Sequence, residues 1–447
     1  MPKAKRTIKR AIGLLTLWVL LVILIPVQFS SFSKSEVAYA SGSQGQVSWL
    51  HTNGIYVYDQ SGSRFGLLGV NFFYGEGTGI GLADFQKAKS LGFNSIRLIV
   101  FWKQIQPFNE TLQGMDESYF TTGEYPLGHG LDQVVNWAVQ ENMYIIICPA
   151  WGTYWTPPSW AFPNISDDHQ RYTALISGTA VKARVGFVNT WRYIANRYQN
   201  TPNVIFELLN EPFVLDRSLA GNAYKTFNEE VISAIESMET ASHLKLTQPL
   251  IDDTDGAWLP ITDVAMDVSE PNVLWATHNY SPMDTWDPTG KYWHDSFTWH
   301  GQAFQEGWGN GTTYAAWTII RVALKIHSWN RPWISTEFSK DTRQTLWKSW
   351  YDIVLQTMNE NSISGWMYFC YISNPTSVAY WNINNPLTQQ MLMPVLDSYL
   401  PLGQIADNST ASSTTTSSTS TSSSTTTSST ITTTSNSTSY LVVKRRY

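Results

Sequence analysis

Two acidic side chains in this sequence stand near the ends of apolar runs. Glu211 closes VIFELLNEP, residues 204–212, and Glu337 lies in WISTEF, residues 333–338. Apolar surroundings disfavour the charged form of a carboxyl group, which suits a general acid near neutral pH. A second carboxylate facing the first completes a pair able to work on a glycosidic bond. Carboxyl groups about 5–5.5 Å apart suit retaining hydrolysis and about 6.5–9.5 Å suit inversion, and sequence gives no distance. Other polar and aromatic residues hold comparable places. Asn210 precedes Glu211, Arg97 lies inside SIRLIV, His278 and Tyr280 lie in ATHNYSP, Trp151 follows MYIIICPA, and Trp366 opens GWMYFCY. The competing reading makes the carboxylates members of a structural ion pair, with Arg97 as partner. A Ser/His/Asp hydrolase is disfavoured, because no G-x-S-x-G elbow occurs.

These residues need elements to bring them together. Short β-branched or apolar runs recur along the chain, each followed by a segment of helical period. The pairs are Phe65–Phe73 with Leu82–Leu91, Ser95–Val100 with Leu131–Glu141, and Met143–Ala150 with Val181–Tyr198. Next come Val204–Leu209 with Ala220–Met238, and a weaker strand near Leu246–Ile251 whose helix is unclear. The last three are Val273–His278 with Tyr314–Ser328, Pro332–Thr336 with Leu346–Asn359, and Gly365–Tyr371 with Leu387–Tyr399. Continuous apolar strands suit a sheet buried on both faces. Eight such units predict a (β/α)8 TIM barrel forming one catalytic domain, residues 41–406, with its site at the C-terminal ends of the strands. A doubly wound sheet is the alternative. However, Gly75, Gly77 and Gly79 lack the spacing of a phosphate-binding fingerprint.

Composition narrows the class further. The 447 residues carry a net charge of −6, but residues 1–40 are +5 and 407–447 are +2, which leaves −13 for the body. An acidic body offers no footprint for a nucleic-acid backbone. Charged residues make up only 14%, and 21 Trp, 22 Tyr and 19 Phe can build a large core. Two cysteines exclude a disulfide scaffold and a cysteine-based structural zinc site. Cys148 and Cys370 both lie in strand-like runs and are expected as buried small apolar residues.

The termini point outward from the cell. A basic stretch at 3–10, the apolar run AIGLLTLWVLLVILIPV at 11–27 and Ala38-Tyr39-Ala40 read as a signal peptide or an uncleaved N-terminal membrane anchor over residues 1–40. Residues 407–447 are a Ser/Thr-rich stretch with a short basic tail, read as a disordered, often O-glycosylated stalk. Sequons at Asn109, Asn164, Asn310, Asn408 and Asn436 fit an exported chain, and Asn279, within the candidate site, is expected to stay unmodified.

The stretch FVNTWRYIANRYQNTPNVIFELLNEP, residues 187–212, closely resembles the strand-four region of family-5 glycoside hydrolases, the cellulase-A family. Arg97 in SIRL, His278 and Tyr280 in THNY, Glu337 in STEF and Trp366 in GWMY match further motifs in the same order, over most of residues 60–400. The resemblance implies Glu211 as acid/base, Glu337 as nucleophile and Asn210 as a hydrogen-bond partner of the sugar 2-hydroxyl. It further implies Tyr280 and Arg97 as groups that hold the nucleophile, His278 as a contact of the sugar or the acid/base, and Trp366 as the platform under the reacting sugar. It implies a polysaccharide substrate, β-1,4-glucan first, and no cofactor or metal. One departure concerns specificity. Many cellulases of this family carry a His after strand three, whereas here Trp151 stands, as in the family's mannanases. A non-catalytic carbohydrate-binding surface protein is the remaining reading. Elsewhere the bland readings prevail. His294, Asp295 and His300 match no zinc spacing, Asp252, Asp253 and Asp255 read as a solvated loop, and Glu76 as a loop residue.

Overall fold

The computed structural model describes residues 47–398 apart from 74–78, 124–127, 151–156, 215, 253–258, 261–266, 281–296, 300–301, 305–310, 341, 343–346 and 377–380. All of them belong to one compact unit, Ser41–Tyr447. The expected export segment, the stalk and Trp151 lie outside the described residues, as do Glu76, Asp253, Asp255 and the cluster around His294. No described helix is long and apolar enough to cross a membrane.

Eight parallel strands close into a barrel. They are β1 (Leu67–Phe72), β2 (Ser95–Phe101), β3 (Tyr144–Ala150), β4 (Val204–Glu207), β5 (Lys245–Thr247), β6 (Val273–Tyr280), β7 (Trp333–Ser339) and β8 (Gly365–Tyr371). Neighbours in sequence are neighbours in the ring, and β8 returns to β1 through pairs such as Gly365 with Leu67. This is the predicted (β/α)8 architecture. The surrounding helices include α1 (Leu82–Ser90), α2 (Leu131–Gln140), α3 (Val181–Tyr198), α4 (Asn222–Glu236), α5 (Gly311–Ser328), α6 (Trp347–Glu360) and α7 (Pro386–Leu396). The start of α7 shows the local logic. Asn385 accepts hydrogen bonds from the Leu387 and Thr388 backbone, and Pro386 fills the first turn, where its missing N–H costs nothing.

The strands are buried on both faces, which is why they read as unbroken apolar runs. Side chains pointing inward fill the lower barrel: Leu67, Ile146, Ile205, Leu246, Leu274, Ala276, Ile334 and Met367 form one cluster. Leu50 and Val57 join it from a hairpin, His51–Asn53 with Tyr56–Tyr58, that plugs the N-terminal end of the barrel. Asn272 fastens the plug, taking the Thr52 amide at 3.0 Å and donating to the Leu50 carbonyl at 3.3 Å. With that end sealed by apolar packing, the mouth left for chemistry is the C-terminal one.

Unit five departs from the expected pattern. Its strand is shorter and earlier than Leu246–Ile251, and no α-helix follows it among the described residues. Instead Ile251–Asp252 pairs with Phe213–Val214 and with Leu259–Pro260 in a separate three-stranded sheet. Asp252 therefore sits in a strand, not a loop. An additional helix, Asp168–Ser177, also escaped the periodicity reading. It is capped by Asp167 and ended by Gly178 in the left-handed region. Cys148 and Cys370 are both buried and form no disulfide, as their strand settings suggested.

Gly365 opens β8 at φ +151°, where a Cβ would stand 2.1 Å from the Leu67 carbonyl oxygen. That oxygen belongs to the backbone and cannot step aside. Gly365→Ala is expected to lower unfolding stability by at least about 2 kcal/mol, read as a drop in denaturant midpoint. An unchanged midpoint would show that the β8–β1 seam tolerates more movement than this packing allows.

Candidate active site

Glu211 and Glu337 meet at the C-terminal mouth of the barrel. β4 ends at Glu207, and the chain runs through Leu208, Leu209 and Asn210 before Glu211. The ladder continues past the strand, since Leu208 N–H donates to the Leu246 carbonyl at 2.8 Å. Glu211 adopts φ +41°, a strained conformation for a residue with a side chain. Its backbone N–H is held by Gln248 Oε1 at 3.1 Å. Strain of this kind, kept in place by neighbours, turns the carboxyl toward the barrel axis instead of along the strand.

Glu337 lies within β7 and is 5% exposed. Arg97 Nη1 donates to its Oε1 at 2.5 Å, and the Tyr280 hydroxyl donates to its Oε2 at 2.5 Å. Both oxygens are thus fixed by donors. His278 links the two acids. Its Nδ1 lies 2.7 Å from Glu211 Oε1, and its Nε2 lies 3.5 Å from Glu337 Oε1. One oxygen from each glutamate and one ring nitrogen of His278 fall within 4.8 Å of one another. Such a trio could hold a cation, but here a guanidinium already lies on Glu337 and the histidine already bonds Glu211. Hydrogen bonding accounts for the arrangement.

Arg97 is the hub. It is completely buried on β2 and reaches Glu207 through Nε at 2.5 Å and Nη2 at 3.1 Å, Asn71 at 2.9 Å and Asn210 Oδ1 at 2.7 Å. Burial alone would lower its pKa, but Glu207 foremost, with Cys148 and Glu337, drives it well above the ordinary arginine value. It stays charged. For His278, burial likewise pulls down, while Glu337 and then Glu211 outweigh it and raise the ring above its ordinary 6.5. Burial of the Tyr280 hydroxyl and the charge on Glu337 hold that phenol protonated, well above its usual range. The expected apolar pocket around Glu211 is not what the fold builds: its carboxyl meets His278 and its backbone meets Gln248.

Six of the eight residues singled out from the sequence therefore converge: Arg97, Asn210, Glu211, His278, Tyr280 and Glu337. Trp151 lies outside the described residues. Trp366 does not converge. It is completely buried near the start of β8, level with Leu68 and Ser335, and packs edge-on against Phe338 and Phe93. The strand runs five residues further before it ends, so Trp366 cannot present a face to a ligand at the mouth. Met367 points into the barrel core, and side chains alternate along a strand. Phe369, two residues on, therefore faces the mouth; its ring lies 6.2 Å from Tyr280 and 5.7 Å from Phe73. Period-two counting from a core residue would have found it. Glu207 and Gln248 were also missed. Glu207 reads as part of an apolar run, and Gln248 follows the weakest strand. In the fold Gln248 is buried and donates to Glu207 Oε1 at 2.6 Å. Asn279 is buried as well, its amide donating to Ser335 and Thr277, which leaves no access for a glycan.

Comparison with known proteins identifies the family. Residues 58–386 match the family described as Cellulase (glycosyl hydrolase family 5). Endoglucanase 3 of Fibrobacter succinogenes is 23% identical over 240 residues, which is 50% of this chain and 31% of that protein. Among solved structures, Thermotoga maritima Cel5A in complex with mannotriose superposes with a TM-score of 0.51 at 16% identity, covering 74% of this chain and 97% of that one. The cellulose synthase subunit Z of Clostridioides difficile superposes with a TM-score of 0.50 at 17% identity, covering 74% and 99%. At such identities the superpositions speak for the fold, while the family match spans the barrel from the plugging hairpin to the start of α7. With its paired glutamates at the ends of strands four and seven, the chain belongs to glycosyl hydrolase family 5.

Proposed function

We propose that the protein is an exported, endo-acting, retaining glycoside hydrolase that cleaves β-1,4-glucan. The observation that carries this is the approach of Glu211 and Glu337, whose oxygens come within 4.8 Å across the barrel mouth. That closeness suits the narrower carboxylate spacing, in which one acid attacks the sugar directly. Glu337 attacks the anomeric carbon as the glycosidic C–O bond breaks, and Glu211 gives its proton to the departing oxygen. Water then attacks the glycosyl-enzyme, Glu211 takes a proton from it, and the bond to Glu337 breaks. Arg97 and Tyr280 hold both oxygens of Glu337 and keep it aimed. Asn210 uses its Oδ1 on Arg97, so its Nδ2 hydrogens are those it can offer to a sugar hydroxyl. Phe369 supplies an apolar face suited to a pyranose ring.

The basic-then-apolar N-terminus, the Ser/Thr-rich tail and the acidic body support export, with attachment to the cell envelope through either end. The relative named an endoglucanase supports glucan, and Trp151 keeps mannan as the second substrate. A panel of carboxymethylcellulose, glucomannan and mannan tests the assignment. New reducing ends with a rapid fall in viscosity are expected on carboxymethylcellulose. Faster cleavage of mannan would move the specificity to a β-mannanase. Binding without cleavage of any of the three would make it a sugar-binding barrel.

A further inference from the structure

Gln248 occupies a place for which neither the sequence motifs nor the acid pair accounts. It directly follows β5, is 2% exposed, and touches three members of the site at once. Its Oε1 accepts the Glu211 backbone N–H at 3.1 Å, its Nε2 donates to Glu207 Oε1 at 2.6 Å, and the same Nε2 lies 3.2 Å from His278 Nε2. The Tyr224 hydroxyl anchors its backbone carbonyl at 2.5 Å. Amide orientation is usually ambiguous, but here both ends are specified. A flipped amide would set oxygen against the Glu207 carboxylate and nitrogen against an N–H donor. Glu207 already accepts two bonds from Arg97, so its oxygens are engaged as acceptors.

The second hydrogen on Gln248 Nε2 therefore points at His278 Nε2, and a donor facing a ring nitrogen favours that nitrogen without a proton. We propose that Gln248 fixes the tautomer and the titration of His278, and thereby selects the Glu211 oxygen that carries the transferable proton. In the neutral ring the proton sits on Nδ1 and is donated to Glu211 Oε1. The acid proton of Glu211 is then confined to Oε2. This rests on the acid/base reading of Glu211. The charged and titratable groups around His278 are Glu211, Glu337, Arg97 and Tyr280, with Glu207 acting through Gln248. The two acids in contact with the ring favour the imidazolium. The Gln248 hydrogen opposes it, since an Nε2–H would meet another donor. Gln248 is a positioning residue: it works through His278 and Glu211.

The test uses the full chain labelled with 15N, with the His278 signals identified by their loss in His278→Asn. Above its titration midpoint, wild-type His278 is expected to show a protonated Nδ1 and a bare Nε2. In Gln248→Met, of similar shape but without the donor, the midpoint should rise by about one pH unit. The persisting imidazolium beside Glu211 should also move the alkaline limb of kcat/KM on carboxymethylcellulose to lower pH. A neutral ring protonated on Nε2 in the wild type would overturn the inference. So would an unchanged midpoint in a folded Gln248→Met. If that variant does not fold, the wild-type tautomer decides alone. The expected tautomer in a protein that cleaves no polysaccharide would leave the hydrogen-bond assignment standing and overturn the glycanase reading together with the acid proton it places on Oε2.

Discussion

Exchange of Glu337 for Gln is expected to cut kcat on soluble cellulose derivatives by about 10⁴-fold or more, at the scale seen when a catalytic nucleophile is removed. The amide keeps the size of the side chain, and its one oxygen can still accept from Arg97 while its NH2 donates to the Tyr280 oxygen, so the loss reports chemistry instead of collapse. Exchange of Glu211 for Gln should cost about 10²–10⁴-fold on polysaccharide, the usual worth of general acid–base catalysis. The two variants should part company on an aryl glycoside whose leaving group needs no proton. There Glu211→Gln still forms the glycosyl-enzyme but hydrolyses it slowly, giving a burst followed by a weak steady state. The trapped sugar should be found by mass on the peptide bearing Glu337. Glu337→Gln should show no burst with any leaving group. A product of inverted configuration, or near wild-type turnover in either variant, would remove the double-displacement mechanism.

The parts of this site that were legible in the sequence share a cause. Glu211, Glu337, His278 and Tyr280 follow apolar runs, so a barrel reading alone places them at one mouth. Arg97 stood out because a charge inside SIRLIV must find a partner when buried. Trp366 misled for the opposite reason. A motif fixes the order of residues, not which face of a strand they take, and Trp366 falls on the outer face near the sealed end. Phe369 was hidden by the same parity. Glu207 was invisible because its justification is Arg97, 110 residues away, and no local pattern carries that pairing. The short fifth strand was misplaced because its ladder ends after three residues and the chain then turns into a different sheet.

The second large effect concerns the charge at the hub. Arg97 is completely buried between Glu207, also completely buried, and Glu337. Replacing it with Met leaves two carboxylates beneath the mouth with no cation between them. Breaking a buried pair in this way costs about 3–5 kcal/mol, because the remaining charge is neither solvated nor matched. Gln248 and Thr336 still reach Glu207, and Tyr280 still reaches Glu337, which softens the loss without cancelling it. Arg97→Lys should keep much of the stability but little of the activity. A lysine carries the charge as a point and cannot hold Glu207, Asn71, Asn210 and Glu337 in one plane of donors. Adding Glu207→Gln to Arg97→Met removes one stranded anion and should restore most of the lost stability while leaving turnover low. This cycle separates what Arg97 does for the fold from what it does for Glu337. Urea unfolding at neutral pH measures it. A single variant within about 1 kcal/mol of wild type at neutral pH, or a double variant no better than the single, would mean that the buried charges are already matched by groups other than Arg97.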